Sequence, residues 1–99
     1  MIMHVVLLKP KSDTGEQELW TALQHVKELQ QKIPGIVDVT IGKNLSISNN
    51  KGYLYGFVMI FLDEDHLKAY GPHPAHQVVA AELVRLCQDI IDFDINSSL

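Results

Sequence analysis

Tyr70, His73 and His76 fall within one seven-residue stretch, Tyr70-Gly71-Pro72-His73-Pro74-Ala75-His76. Imidazole exchanges protons near neutral pH, and a sheltered phenol can donate a hydrogen bond to a developing oxyanion. Gly71 and the two prolines bend and stiffen the backbone between these groups. Pro74 sits where a helix begins, because the first helical residue needs no N–H. His73 then takes the cap position and faces the rim. Three residues before Val79, His76 continues the apolar stripe of the following helix and points inward. His73 and His76 at i, i+3, with His4, could ligate a transition metal, and His66 joins them only if its short helix folds back. Pro74 and Ala75 add no ligand, and Cys87 is expected about three turns along the helix. A metal cofactor is therefore not expected.

The elements that hold this stretch can be read in order. Ile2 to Leu8 is a strand apolar on both faces, which places it inside a sheet. His4 shares its face with Ile2, Val6 and Leu8, so its ring nitrogens need buried partners. Lys9 to Asp13 break the strand. Thr14, with Gln17 three residues on, makes a capping-box pattern. Leu19, Ala22, Leu23, Val26, Leu29 and Ile33 follow at helical spacing. Trp20 lies at the edge of that stripe and His25 faces solvent. Pro34-Gly35 ends the helix. Val37, Val39 and Ile41 alternate with polar residues, as in an edge strand. Lys43 to Gly52 reads as a hairpin connection with Asn44 closing the strand.

Tyr53 to Leu62 is the third strand. One parity carries Tyr53, Tyr55, Phe57, Met59 and Phe61; the other carries Leu54, Gly56, Val58, Ile60 and Leu62. The aliphatic parity suits packing on helices, and the aromatic one can line a pocket or an interface. Tyr55, Phe57 and Met59 are accordingly expected to contact substrate. Asp63-Glu64-Asp65 opens a short helix carrying Leu67 and Tyr70 on one face. A second long helix runs from about Pro74 to about Asp89, with the stripe Val79, Leu83, Leu86 and Ile90 and a buried Cys87 beside it. Ile91, Phe93 and Ile95 alternate with Asp92 and Asp94 in a last strand, and Asn96 to Leu99 form a tail that frays.

The order is strand, helix, strand, strand, helix, strand, the α+β pattern of a ferredoxin-like βαββαβ sandwich in one domain spanning 1–99. Two helices cover one sheet face. A bare aromatic face of Tyr55, Phe57, Met59 and Phe61 would expose on the order of several hundred Å², which predicts a homodimer with facing sheets. The chain carries a net charge of −4 and no basic run, which argues against nucleic acid. No apolar run reaches the roughly 20 residues of a membrane span, and the first residues lack the pattern of a signal peptide. The single cysteine cannot form an internal disulfide and points to the cytoplasm.

Together, the element order, His4, the Gly42-Lys43-Asn44 strand end, the aromatic third strand and Tyr70-x-x-His73-Pro74-x-His76 resemble the stress-responsive α/β-barrel (Dabb) family, from about Met3 to Ile95. The resemblance implies a dimeric α/β barrel. The family includes a plant polyketide cyclase that works without metal or organic cofactor. By that similarity Tyr70 and His76 match its catalytic tyrosine and histidine, and His4 matches a pocket histidine. Tyr55 stands where the cyclase has a further pocket histidine, so a particular reaction does not follow. Many family members have no established activity. Three readings stay open: acid–base catalysis of a cyclase, isomerase or lyase type on a small apolar carbonyl compound; a binding module for a small hydrophobic ligand, with Tyr70, His73 and His76 fixing its polar end; and a structural dimer whose Tyr70 and His76 satisfy one another.

Overall fold

The computed structural model describes residues 1–97. The part of the predicted tail at Ser98 and Leu99 lies outside the described residues. The elements are β1 (Ile2–Pro10), α1 (Glu16–Glu28), a 3₁₀ turn at Leu29–Gln31, β2 (Ile36–Lys43), β3 (Tyr55–Phe61), α2 (Glu64–Tyr70), α3 (Pro74–Leu86) and β4 (Cys87–Asn96). The four strands form one antiparallel sheet in the order β2-β3-β1-β4. This is the expected ferredoxin-like α+β sandwich, with its two doubly apolar strands in the centre. No helix among the described residues is long and apolar enough to cross a membrane.

One parity of each strand meets the helices. Ile2, Val6 and Leu8 from β1, Val39 from β2, and Tyr55, Phe57, Met59 and Phe61 from β3 are all buried. They pack against Leu19, Leu23 and Val26 of α1 and Val79, Leu83 and Leu86 of α3 in one core. The aromatic parity of β3 therefore faces the helices, contrary to expectation. Alternation tells which residues share a face but not which face receives the helices, and the bulky rings fill the gap between the layers. The bare face is the aliphatic one. There Met3, Val5 and Leu7 lie between Ile60, Val58 and Gly56 on one side and Ile95, Phe93 and Ile91 on the other. Phe93 is 57% exposed.

Two element ends also differ. The N-cap of helix α1 is Gly15, not Thr14, and the Glu18 carboxylate accepts from the Gly15 N–H at 3.2 Å. Thr14 is engaged elsewhere: its hydroxyl donates to the Leu86 carbonyl at 2.6 Å, which also accepts from the Lys11 N–H at 3.0 Å. With that carbonyl held by the β1–α1 loop, α3 stops at Leu86, and Cys87 turns into extended backbone. Cys87 and Ile90, expected on the helix, are thus on β4, where Cys87 is buried.

Candidate functional site

The loop between α2 and α3 is built by local hydrogen bonds. Asp63 caps α2, its Oδ1 accepting from the His66 N–H at 2.9 Å and pairing with His66 Nδ1 at 2.7 Å. Gly71 ends the helix, and the His73 N–H returns to the Tyr70 carbonyl at 3.1 Å. His73 is the N-cap of α3, and its Nδ1 accepts from the Ala75 N–H at 3.1 Å. Its Nδ1 is thereby committed to capping the helix.

Pro74 starts α3, and its first turn delivers His76. The His76 Nδ1–H donates to the Gly71 carbonyl at 2.8 Å. That bond selects the Nδ1–H tautomer and leaves Nε2 with a free lone pair. The His76 ring lies 4.2 Å from the Tyr70 ring, centroid to centroid, tilted by 50°. On the other side of Tyr70, the His4 ring lies at 5.7 Å. Tyr70 thus stands between two imidazoles, with the Phe61 ring edge-on to it at 5.0 Å. No hydrogen bond joins Tyr70 to either histidine among the described residues, so His76 is oriented by a backbone carbonyl and not by Tyr70 or His4.

His4 is held from β4. Its Nδ1 is hydrogen-bonded to the carboxylate of Asp94, its direct cross-strand neighbour. His4 is 7% exposed, and this bond satisfies the buried nitrogen that the sequence left without a partner. Asp92, two residues earlier, lies on the same face opposite Val6. Burial first, and the Asp92 carboxylate second, push the Tyr70 phenol above its ordinary pKa, so it stays a donor across the physiological range. Tyr70 is 5% exposed, and its hydroxyl makes no hydrogen bond among the described residues. Yet no side-chain nitrogen or oxygen there is sealed from solvent without a partner. The hydroxyl therefore reaches open space, and that space is a cavity.

The cavity has a volume of about 540 Å³ and lies between the sheet and helices α2 and α3. Tyr70, His76, His4, Asp92 and Asp94 give it polar walls; Val6, Phe57, Leu67, Val79, Leu83 and Ile90 are among its apolar ones. Of the residues singled out from sequence, His4, Phe57, Tyr70 and His76 converge here. Three do not. Met59 is fully buried beneath the cavity wall. Tyr55 packs edge-on against Trp20 at 6.1 Å and lines a separate shallow depression near Lys43 and Asn44. His73 is outside the lining, held at the helix cap. Asp92 and Asp94 were missed, because alternating acids in a final strand read as its wet face. Among the described residues no three His, Cys, Asp or Glu side chains form a group able to hold a metal ion.

A family model described as the stress-responsive A/B barrel domain (Dabb) matches residues 2–97. A stress-response A/B barrel domain-containing protein of Arabidopsis thaliana is 29% identical over 68 residues. That match covers 69% of this chain and 26% of the relative, so this chain spans only part of that protein's length. A dimeric ferredoxin-like protein of unknown function from Jannaschia sp. superposes with a TM-score of 0.85 at 28% identity, covering 96% of this chain and 97% of that one. A hydroxynitrile lyase from Passiflora edulis superposes with a TM-score of 0.87 at 17% identity, covering 99% and 95%, a likeness of fold.

Proposed function

Because the chain belongs to the stress-responsive A/B barrel domain (Dabb) family, we propose that its cavity is an acid–base active site for small apolar carbonyl compounds, carried in a homodimer. The observation that carries this reading is the arrangement of His76 and Tyr70. A base with a free Nε2 stands beside a protonated, unpartnered phenol, and both line one cavity. His76 Nε2 removes a proton alpha to the carbonyl. The Tyr70 hydroxyl donates to the oxygen on which charge develops. The apolar walls exclude water and strengthen that hydrogen bond. The His76 imidazolium, still held through Nδ1, then returns the proton: to another carbon of the enolate in an isomerisation, to the alkoxide formed when the enolate carbon closes on a second carbonyl in an aldol-type step, or to an oxygen leaving from the β-carbon in a lyase step. A hydroxynitrile lyase shares the fold, which is compatible with catalysis on this scaffold without choosing among these branches.

Dimerisation is supported by the bare aliphatic sheet face and by the dimeric state of the Jannaschia relative. Facing sheets would bury Met3, Val5, Leu7, Val58, Ile60 and Phe93 and close the barrel.

The test is α-proton exchange in D₂O, followed by proton NMR across small aliphatic and aromatic ketones and aldehydes. The expected result is exchange with at least one of them, and a loss of about 10²–10⁴-fold in His76→Ala. Exchange that survives this substitution in a folded variant would sink the reading. Ligands that occupy the cavity without exchange would favour the binding module, which the same cavity could serve.

A further inference from the structure

The cavity's polar wall is lopsided in charge. Two carboxylates, Asp92 and Asp94, line it, and no lysine or arginine does. Asp94 spends one oxygen on His4 Nδ1, and its second oxygen has no partner among the described residues. Asp92 has neither a hydrogen bond nor an ion pair there. Both side chains line the space into which the unpartnered hydroxyl of Tyr70, a residue more than nine-tenths buried, opens. A phenol that waits for an acceptor and two carboxylates that wait for donors thus share one space. A ligand that satisfies all three presents an acceptor oxygen at one end and a donor group at the other.

We propose that Asp92 and Asp94 set the substrate class of this cavity: small carbonyl compounds bearing a hydrogen-bond-donating group, preferably an ammonium, with carboxylates and phosphates excluded. The inference rests on reading the cavity as a ligand site and narrows the substrate proposed above: the carbonyl compound carries one donor group on an otherwise apolar body. The physical basis is direct. A cationic group within about 4 Å of a carboxylate gains, and an anionic group loses, the Coulomb energy of a close pair. The partly apolar surroundings enlarge that difference relative to open water. A neutral hydroxyl falls between them, since it can donate to a carboxylate without the charge term.

Benzylamine, benzyl alcohol and benzoate test the selection, because they share a ring and differ in the charge of one substituent. None contains a ketone or aldehyde, so their binding does not depend on turnover. Each is titrated into the intact protein while the resonances of Tyr70 and His76 are followed by NMR. The expected order of affinity is benzylamine, benzyl alcohol, benzoate, with about tenfold per step. Asp92→Asn keeps the shape and removes a charge, and should compress the amine-to-benzoate span by about tenfold. Asp92→Asn/Asp94→Asn should flatten it further, with the amide dispersion certifying the fold. Equal affinities, tighter benzoate, no perturbation by any probe, or an order unchanged in both variants would each overturn the proposal and leave the acids as charged protection of an edge strand. A charge order without α-proton exchange would retain the selection while the acid–base reading falls. Exchange without a charge order would do the reverse.

Discussion

Tyr70 carries a pH signature of its own. Its phenol is raised above the ordinary value by burial first and by Asp92 second. The folded state therefore holds this proton more tightly than the unfolded chain does. The linked stability is fully present below the unfolded pKa of about 10, and it is lost as pH rises through the folded value. Tyrosinate absorbance should show one phenol resisting ionisation until the protein unfolds. Tyr70→Phe should abolish that component and flatten the alkaline fall in Tm; an alkaline fall identical to the parent's would refute the assignment. Tyr70→Phe also keeps the ring contacts with His4, Phe61 and His76. It should lower kcat/KM by about 10²-fold with little change in folding at pH 7. Asp94→Ala differs in that it also lowers stability, because it strands the buried His4 Nδ1. It should cost about 1–3 kcal/mol in urea unfolding, and a change under 0.5 kcal/mol (roughly the error of such a measurement) would refute the pairing. The sequence marks His4, Tyr70 and His76 through their chemistry. It hides Asp92 and Asp94, whose role comes from a cross-strand register set 90 residues away.

At the level of elements, the turns decide what the helices can present. Gly35 lies between the 3₁₀ turn and β2 with φ +92°, and an added Cβ would sit 2.3 Å from the His66 ring of α2. Gly35→Ala meets a backbone penalty and an overlap together, and should destabilise by about 2–4 kcal/mol. Gly71, which ends α2, has φ −53° and open space where a Cβ would go. Gly71→Ala should leave stability within about 0.5 kcal/mol or raise it slightly, since it restricts the unfolded chain. Chemical denaturation of the pair checks both, and equal losses would contradict the placement of His66. Element order and strand centrality were legible because hydrophobic periodicity reports them directly. The end of α3 was not, because Ile90 extends the stripe of Val79, Leu83 and Leu86 at correct spacing. What stops the helix is a distant pair of donors, Lys11 and Thr14, on the Leu86 carbonyl. The orientation of β3 was hidden for a related reason: both of its parities are apolar, and only the packed layers distinguish them.

For the whole molecule, the proposed homodimer rests on the bare sheet face. Phe93, Ile91 and Ile95 are exposed in the single chain, beside the half-buried Val5, Leu7 and Val58. Phe93→Glu puts a charge on each side of a two-fold interface and should weaken the dimer by at least roughly a hundredfold. Sedimentation velocity would show it as a monomer, and an unshifted dimer would place the interface elsewhere. The sequence announced that a face would be left over, since two helices cannot cover both sides of four strands. It did not say which. The pairing of β1 with β4 has one more consequence, in the time the chain takes to be made. His4 belongs to the first strand of the sheet and Asp94 to the last, and β4 supplies Asp92, Asp94 and Ile90 to the cavity. Chain growth at about 5–20 residues per second separates the two halves of this wall by several seconds. His4 waits through that whole interval, whereas Asp94 follows His76 by only 18 residues, about 1–4 seconds of synthesis. On the proposed reading the cavity can take a ligand only after β4 docks, because β4 completes its wall.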